Sequence, residues 1–237
     1  MSNEILVLMG TAASLGFLHT IFGPDHYLPF IMIARARRWS IAKTSLITFL
    51  CGLGHVGSSI VIGIIGVMLG VALSKIKALE SIRGDFAAWM IIGFGFVYFI
   101  WGLIRSIQNK PHTHLHFHDK GIQHKHEHVH QQGHTHTHDT EVKQTITPWI
   151  LFIIFIFGPC EPLIPILMYP AAKNSITGLI LVTAVFGVVT ILTMLTIVIA
   201  VSYGLNVIQL GKMERYIHPV AGLMICLSGL AIVFLGL

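Results

Sequence analysis

Residues 21–28 read Ile-Phe-Gly-Pro-Asp-His-Tyr-Leu, and residues 156–163 read Ile-Phe-Gly-Pro-Cys-Glu-Pro-Leu. We refer to them as the first and the second motif. Each interrupts a long apolar run with a Gly-Pro pair, and proline breaks a helix because it lacks the N–H and clashes with the preceding turn. Each motif continues with side chains that can bind a metal ion. Ionisable groups within apolar segments mark functional sites in membrane proteins, and paired broken helices indicate a transporter's substrate site.

The composition excludes an ordinary soluble domain. The chain has 237 residues, of which 54% are hydrophobic and 11% charged, and its mean hydropathy is +0.78. Since a membrane span needs about 20 apolar residues, we predict an all-α integral membrane protein with six transmembrane helices. The predicted spans are 4–33, 41–73, 84–107, 147–172, 176–204 and 217–237, with the first and fourth broken at the Gly-Pro motifs.

The two halves of the chain are predicted to form an inverted repeat. Residues 1–107 and 147–237 each hold three spans, and an odd number makes the second half start from the opposite side of the membrane. Residues 108–146 separate them as a histidine-rich loop. The formal charge of +5 is read as a positive-inside signal rather than as a sign of nucleic-acid binding. Lys and Arg are more numerous in the loops on one side of the predicted spans, which include 34–40 and 108–146, than in the loops on the other side. This asymmetry predicts a plasma-membrane protein in contact with lipid, with both termini outside and the histidine-rich loop in the cytoplasm.

The predicted site lies at the two motifs, in a cavity near the membrane midplane. His19 and His26 would share a helix face because they are seven residues apart. Imidazoles with a carboxylate suit borderline cations such as Ni²⁺, Co²⁺, Zn²⁺ or Fe²⁺. We predict no enzyme activity and no resident cofactor, the metal ion being cargo. The candidate metal ligands are His19, Asp25, His26, His55, Cys160 and Glu161.

Each candidate has a plainer interpretation. His55 is equally consistent with a hydrogen bond between helices, and Asp25 with a cap on the restarting helix. A buried cysteine such as Cys160 often acts as a small apolar residue. Glu161 is also consistent with a proton carrier. The three cysteines form no CxxC pair, so a disulfide scaffold is not expected.

The loop 108–146 holds most of the histidines of the chain. Its His-x-His spacing and polar composition predict a disordered segment that buffers divalent metal ions in the cytoplasm. A solvated linker and a pH sensor are the alternatives. The predicted buffering residues are His112, His114, His116, His118, His124, His126, His128, His130, His134, His136 and His138.

The first motif and the loop resemble one known family. A histidine followed by Gly-Pro-Asp-His, a histidine-rich loop and six spans are similar to the nickel/cobalt permeases of the urease-accessory and nickel/cobalt efflux type. The resemblance implies that His19, Asp25 and His26 are essential ligands. Five residues separate His19 from Asp25 here, whereas the family signature has four. A cytoplasmic metallochaperone or a urease or hydrogenase maturation factor would be the implied partner.

The second motif is similar to a different family. Gly-Pro-Cys followed by prolines resembles the membrane thiol–disulfide electron carriers of cytochrome c maturation, which use one cysteine in each half. Here the first-half counterpart of Cys160 is Asp25. A disulfide between the two motifs therefore cannot form.

We thus predict a transporter that carries Ni²⁺, and next Co²⁺, by alternating access of the site to the two sides. The alternatives are a membrane thiol–disulfide electron carrier and a metal sensor or chaperone anchored in the membrane. The ligand types are compatible with both import and export.

Overall fold

The computed structural model describes residues 3–108, 112–117, 123–128, 142–172, 175–207 and 211–235. Eight helices account for most of these residues, and short 3₁₀ turns cover Pro24–His26 and Gly211–Tyr216. The helices are α1 (Asn3–Phe22), α2 (Leu28–Ala36), α3 (Ile41–Met68), α4 (Leu73–Gln108), α5 (Val142–Phe157), α6 (Leu163–Ala172), α7 (Ile176–Val207) and α8 (Ile217–Leu235).

Five helical stretches among the described residues are long and apolar enough to cross a membrane. They are Asn3–Phe22, Ile41–Met68, Leu73–Gln108, Ile176–Leu205 and Glu214–Leu235. The predicted fourth span, 147–172, consists instead of the two shorter helices α5 and α6. The chain is therefore a multi-pass, helical membrane protein, while the arrangement of six spans as a 3+3 inverted repeat stays a prediction.

Helices are interrupted at both Gly-Pro motifs. The helix α1 ends at Phe22 and α2 begins at Leu28. The helix α5 ends at Phe157 and α6 begins at Leu163. The proline of each motif cannot donate a helical hydrogen bond, so the chain leaves the helix immediately before it.

The helices α4 and α8 pack backbone against backbone. A Cβ atom added at Gly95 of α4 would overlap the backbone of Cys226, and one added at Gly222 of α8 would overlap the backbone of Phe99. Glycine at these positions lets two helices approach closely, as in many membrane interfaces. This pair forms one wall of the bundle.

The interior between the remaining helices contains apolar clusters next to buried polar side chains. One cluster joins Phe30 of α2 to Phe155 of α5 and Met194 of α7, with the two phenyl centroids 4.6 Å apart. Large apolar side chains such as Trp89 and Leu192 are exposed on the outside of the bundle. Exposure of this kind suits a surface that faces lipid.

Part of the histidine-rich loop forms a two-stranded antiparallel hairpin. Its strands are β1 (His112–Phe117) and β2 (Gln123–His128). His118, His130, His134, His136 and His138 lie outside the described residues. The predicted disorder does not hold for these two strands or for the ends of 108–146, which belong to α4 and α5. Disorder of the rest of the loop and its metal buffering stay predictions. The register pairs His112 with His128, His114 with His126 and His116 with His124.

Candidate functional site

The first motif closes its helix break with its own groups. The N–H of Gly23 donates to the carbonyl of His19 at 3.0 Å, and the N–H of His26 donates to the carbonyl of Gly23 at 3.0 Å. The hydroxyl of Tyr27 donates to the carbonyl of Ile21 at 3.2 Å. Carbonyls that lose a helical partner are thus satisfied by protein, and the 3₁₀ turn directs His26 into the bundle.

His26 is buried, and its Nδ1 atom lies between two acceptors. Nδ1 is 3.1 Å from the carbonyl oxygen of Gly23 and 3.1 Å from Oδ1 of Asp25. Neither oxygen can donate, so Nδ1 carries the proton and donates to them. In the neutral ring Nε2 then carries a lone pair, which can accept a hydrogen bond from Nε2 of His55 at 3.3 Å. A carboxylate that fixes a histidine tautomer in this way is a common outer-shell partner of metal ligands.

Three imidazole rings meet at this break. His19 from α1, His26 from the 3₁₀ turn and His55 from α3 each offer a ring nitrogen, and these nitrogens all lie within 4.8 Å of one another. The ring centroid of His26 lies 4.6 Å from that of His19 and 4.9 Å from that of His55. The Nε2 atoms of His26 and His55 are 3.3 Å apart. We call these three residues the histidine cluster.

Two ring nitrogens of the histidine cluster have no hydrogen-bond partner among the described residues. They are Nε2 of His19 and Nδ1 of His55, and both atoms are buried. An unsatisfied buried polar atom is costly, so such an atom in a native structure calls for an explanation such as a bound ion or water. These two ring nitrogens are therefore available to a ligand, such as a metal ion, inside the bundle.

A small cavity of about 50 Å³ adjoins the histidine cluster. Asp25 contributes a partly buried carboxylate to it. The opposite wall is made of small and apolar residues from α4, α5 and α8. The lining residues are His19, Gly23, Asp25, His26, His55, Gly84, Ala87, Ala88, Ile91, Ile154, Phe155, Gly158, Pro159 and Ile232.

The second motif contributes backbone rather than ligands to this cavity. The N–H of Gly158 donates to the carbonyls of Ile154 and Phe155, each at 3.1 Å. A Cβ atom added at Gly158 would lie 2.9 Å from Nδ1 of His55. The second break thus abuts the ring of His55.

Cys160 and Glu161 are not brought to the histidine cluster. Cys160 is fully buried but packs with apolar residues such as Leu163 and Phe186, and it is not among the residues that line the cavity. Glu161 is exposed. The expectation that both line the opposing half of the site does not agree with these positions, since Cys160 packs in an apolar cluster and Glu161 lies at the surface.

Sequence reasoning missed two charged residues beside the second motif. Glu80 has a fully buried side chain, and that of Arg83 is 12% exposed. The two form an ion pair on α4. The predicted third span began at residue 84, so Arg83 was assigned to a loop, whereas α4 begins at Leu73. The available signal was an acid and a base three residues apart at the edge of an apolar run.

The arrangement can bind a transition-metal ion. Two nitrogens at about 2.0–2.1 Å from one tetrahedral ion would be about 3.3 Å apart. The Nε2 atoms of His26 and His55 have this separation. A buried set of imidazoles favours borderline cations over Ca²⁺ or Mg²⁺, which prefer oxygen ligands.

A family model described as the cytochrome c biogenesis protein transmembrane region matches residues 28–236 of this chain. The match covers most of the sequence, including His55, Glu80, Arg83 and the second motif. It supports the membrane thiol–disulfide electron carrier, the alternative raised by Gly-Pro-Cys, better than it supports metal transport, and it lends no support to a nickel/cobalt permease. No curated protein and no solved structure matches the chain.

Proposed function

We propose that this chain, which belongs to the family of cytochrome c biogenesis protein transmembrane regions, binds a borderline divalent cation at the histidine cluster and carries it across the membrane. The observation that carries the proposal is the meeting of three imidazoles within 4.8 Å inside the bundle. The substrate class is Ni²⁺, Co²⁺ or Zn²⁺. The Nε2 separation of His26 and His55 suits tetrahedral coordination, which Zn²⁺ and Co²⁺ accept readily.

Each residue has a defined role in this proposal. His19, His26 and His55 bind the partly dehydrated ion, and Asp25 orients His26 by accepting from its Nδ1. Asp25 also brings a negative charge that offsets part of the charge of the ion. Because of the helix break, His19 reaches the interior from α1 and His26 reaches it from the following 3₁₀ turn. Alternating exposure of the cavity to the two sides would then move the ion.

Metal flux into proteoliposomes that hold the purified protein tests this proposal. Ni²⁺, Co²⁺ and Zn²⁺ are supplied separately outside, with a metal-sensitive dye inside. We expect flux by the wild type and its loss in His26→Ala. His218→Ala is the matched control, because His218 contacts Tyr98 and Trp101 rather than the cavity. Equal flux in wild type, His26→Ala and protein-free vesicles would contradict the proposal.

A second candidate function is membrane thiol–disulfide electron transfer, which the family favours. In such a carrier two thiols pass two electrons and two protons to the disulfide of an oxidised partner and form a disulfide themselves, and the dithiol of a reducing partner reverses the step. Cys160 is the thiol of the second motif, and Cys51 and Cys226 are the other cysteines. All three are free. The second thiol would therefore come from a partner protein or from a rearrangement of this chain.

Thiol trapping in membranes separates the two functions. An electron carrier requires Cys160, so Cys160→Ser would abolish its mixed disulfides and leave metal flux at zero, as in the wild type. A metal transporter would keep its flux in Cys160→Ser and lose it in His26→Ala. A metal transporter is therefore recognised by flux that persists in Cys160→Ser and is lost in His26→Ala. An electron carrier is recognised by mixed disulfides that are lost in Cys160→Ser, with no metal flux in any variant.

A further inference from the structure

The second helix break is held from outside its own motif, by side chains of α4. The Nη2 of Arg83 donates to the carbonyl of Ile156 at 2.8 Å and to that of Gly158 at 3.1 Å. These carbonyls flank the point at which α5 ends. Carbonyls freed by a helix break must find partners within the membrane, and here one guanidinium supplies the donors.

Glu80 completes this contact from the other side. Its Oε2 accepts the backbone N–H of Cys160 at 3.2 Å and the hydroxyl of Ser59 at 3.0 Å. Its Oε1 pairs with Arg83. The fully buried carboxylate thus has three partners, which is what a buried charge needs in order to be tolerated. Backbone on both sides of Pro159 is bound to one ion pair.

The same ion pair also contacts the helix that carries His55. Arg83 donates to the hydroxyl of Ser58 at 2.8 Å, and that hydroxyl donates to the carbonyl of His55 at 2.9 Å. Ser58 and Ser59 therefore connect α3 to the Glu80–Arg83 pair. The two elements that the pair joins, α3 and the second break, are those that meet where Gly158 abuts the ring of His55.

We infer that Glu80 and Arg83 are positioning residues, which hold the second break against His55 and keep Cys160 enclosed. Neither residue lines the cavity or belongs to the histidine cluster. Their action is through the backbone of residues 156–160. Release of the pair would free this backbone, open the wall beside His55 and expose the Cys160 thiol. The inference holds for either candidate function. It concerns how accessible the second break and the Cys160 thiol are, not whether the protein carries metal ions or electrons.

The labelling rate of Cys160 by a maleimide tests this inference in the full-length protein in lipid nanodiscs. Labelled peptides are quantified separately for Cys160 and Cys51 by mass spectrometry. We expect Arg83→Gln to raise the labelling rate of Cys160 at least about tenfold. Loss of hydrogen bonds from a charged group should raise the population of the open state, in which the thiol is accessible, by about this factor. Cys51 is a buried internal reference that packs in another cluster, and its rate should stay unchanged.

Further variants separate positioning from simple support of the fold. Glu80→Gln removes the carboxylate charge but keeps an oxygen acceptor, and Arg83→Lys keeps the charge but loses the planar fork; both should give smaller increases. The double variant Glu80→Arg with Arg83→Glu restores an ion pair without restoring the contacts to residues 156–160. It should expose Cys160 as fully as Arg83→Gln.

Three results would overturn the inference. They are an unchanged Cys160 rate in Arg83→Gln, protection of Cys160 by the reversed pair, and equal increases at Cys160 and Cys51. The last result would mean that the pair only stabilises the bundle. Glu214→Gln, which removes the exposed ion pair with Arg38, is the matched control and should leave both rates unchanged. A wild type without metal flux would reject the proposed transport but would not affect this measurement.

Discussion

The Nε2 atoms of His26 and His55 lie 3.3 Å apart, although the two residues are 29 positions apart in the sequence. His26 is held by the 3₁₀ turn that follows the first Gly-Pro break, and His55 lies within the long helix α3. Both side chains are almost completely buried. The break is therefore what allows a residue of the first motif to reach the ring on α3.

This contact predicts that His26 and His55 share one metal ion. We expect His55→Ala to weaken Co²⁺ binding by more than about 100-fold, which is the upper end of the effect of losing an outer-shell partner. Calorimetry measures the affinity, and the visible absorption of bound Co²⁺ reports its coordination. If His55→Ala kept the wild-type affinity and spectrum, His55 would be a contact between helices and no more.

Asp25 is expected to act through His26. Asp25→Asn keeps the size of the side chain but removes the charge that favours protonation of His26 at Nδ1. We predict a loss of Co²⁺ affinity of about 10–100-fold, the range for an outer-shell carboxylate. Asp25→Glu should recover part of it. A loss in Asp25→Asn as large as that in His26→Ala would show instead that Asp25 binds the ion directly.

Gly158 is predicted to set the space available to the ring of His55. In Gly158→Ala the new methyl would approach Nδ1 of His55, since an added Cβ would lie 2.9 Å from it. We expect weaker Co²⁺ binding with a small change in thermal stability. The control is Gly57→Ala on α3, where an added Cβ meets nothing within 4 Å. Equal effects of the two substitutions would disprove this role.

The contact between α4 and α8 is predicted to be sensitive to a single methyl group. Gly95→Ala would force the two helices apart, because the new atom would overlap the backbone of Cys226. Overpacking of this kind costs about 1–3 kcal/mol, so we expect a lower midpoint in thermal unfolding. Gly93→Ala, two residues away with open space around it, should be neutral or slightly stabilising. The comparison fails if both variants unfold at the same temperature.

The loop is expected to alter metal supply rather than create the transport path. Deletion of residues 112–138 should raise the metal concentration needed for half-maximal flux and leave the maximal rate close to that of the wild type. The measurement is a concentration series in proteoliposomes. Complete loss of function in a folded deletion variant would favour the sensor or chaperone instead.

The sequence predicted the features that depend on local chemistry. Proline removes a helical hydrogen bond and clashes with the preceding turn, so breaks at the Gly-Pro pairs of Pro24 and Pro159 were predicted from the sequence, although α5 continues through Pro148 and α6 through Pro170. The seven-residue spacing of His19 and His26 predicted a shared helix face. The helix ends at Phe22, and the 3₁₀ turn that follows the break is what brings His26 to His19.

Other features depend on how the helices pack, and these were missed. The two motifs have similar sequences, yet Asp25 and His26 line the cavity, whereas their counterparts do not: Cys160 is buried elsewhere and Glu161 is exposed. The ion pair of Glu80 and Arg83 lay outside the predicted span, because its charges lower the local hydropathy. A charged pair that is neutralised within the bundle cannot be distinguished by hydropathy from two charges in a loop.

The close contact of α4 with α8 determines which parts of the bundle can slide. No side chain separates the two backbones at Gly95 and Gly222, so one helix cannot shift along the other without collision. The two should move as one rigid body. Because Glu80 and Arg83 belong to α4, a movement of α4 that detaches them from the second break would also displace α8. Lipids in contact with α8 would then slow or speed the detachment of the ion pair from the second break. The rate of this detachment would therefore depend on the thickness of the bilayer.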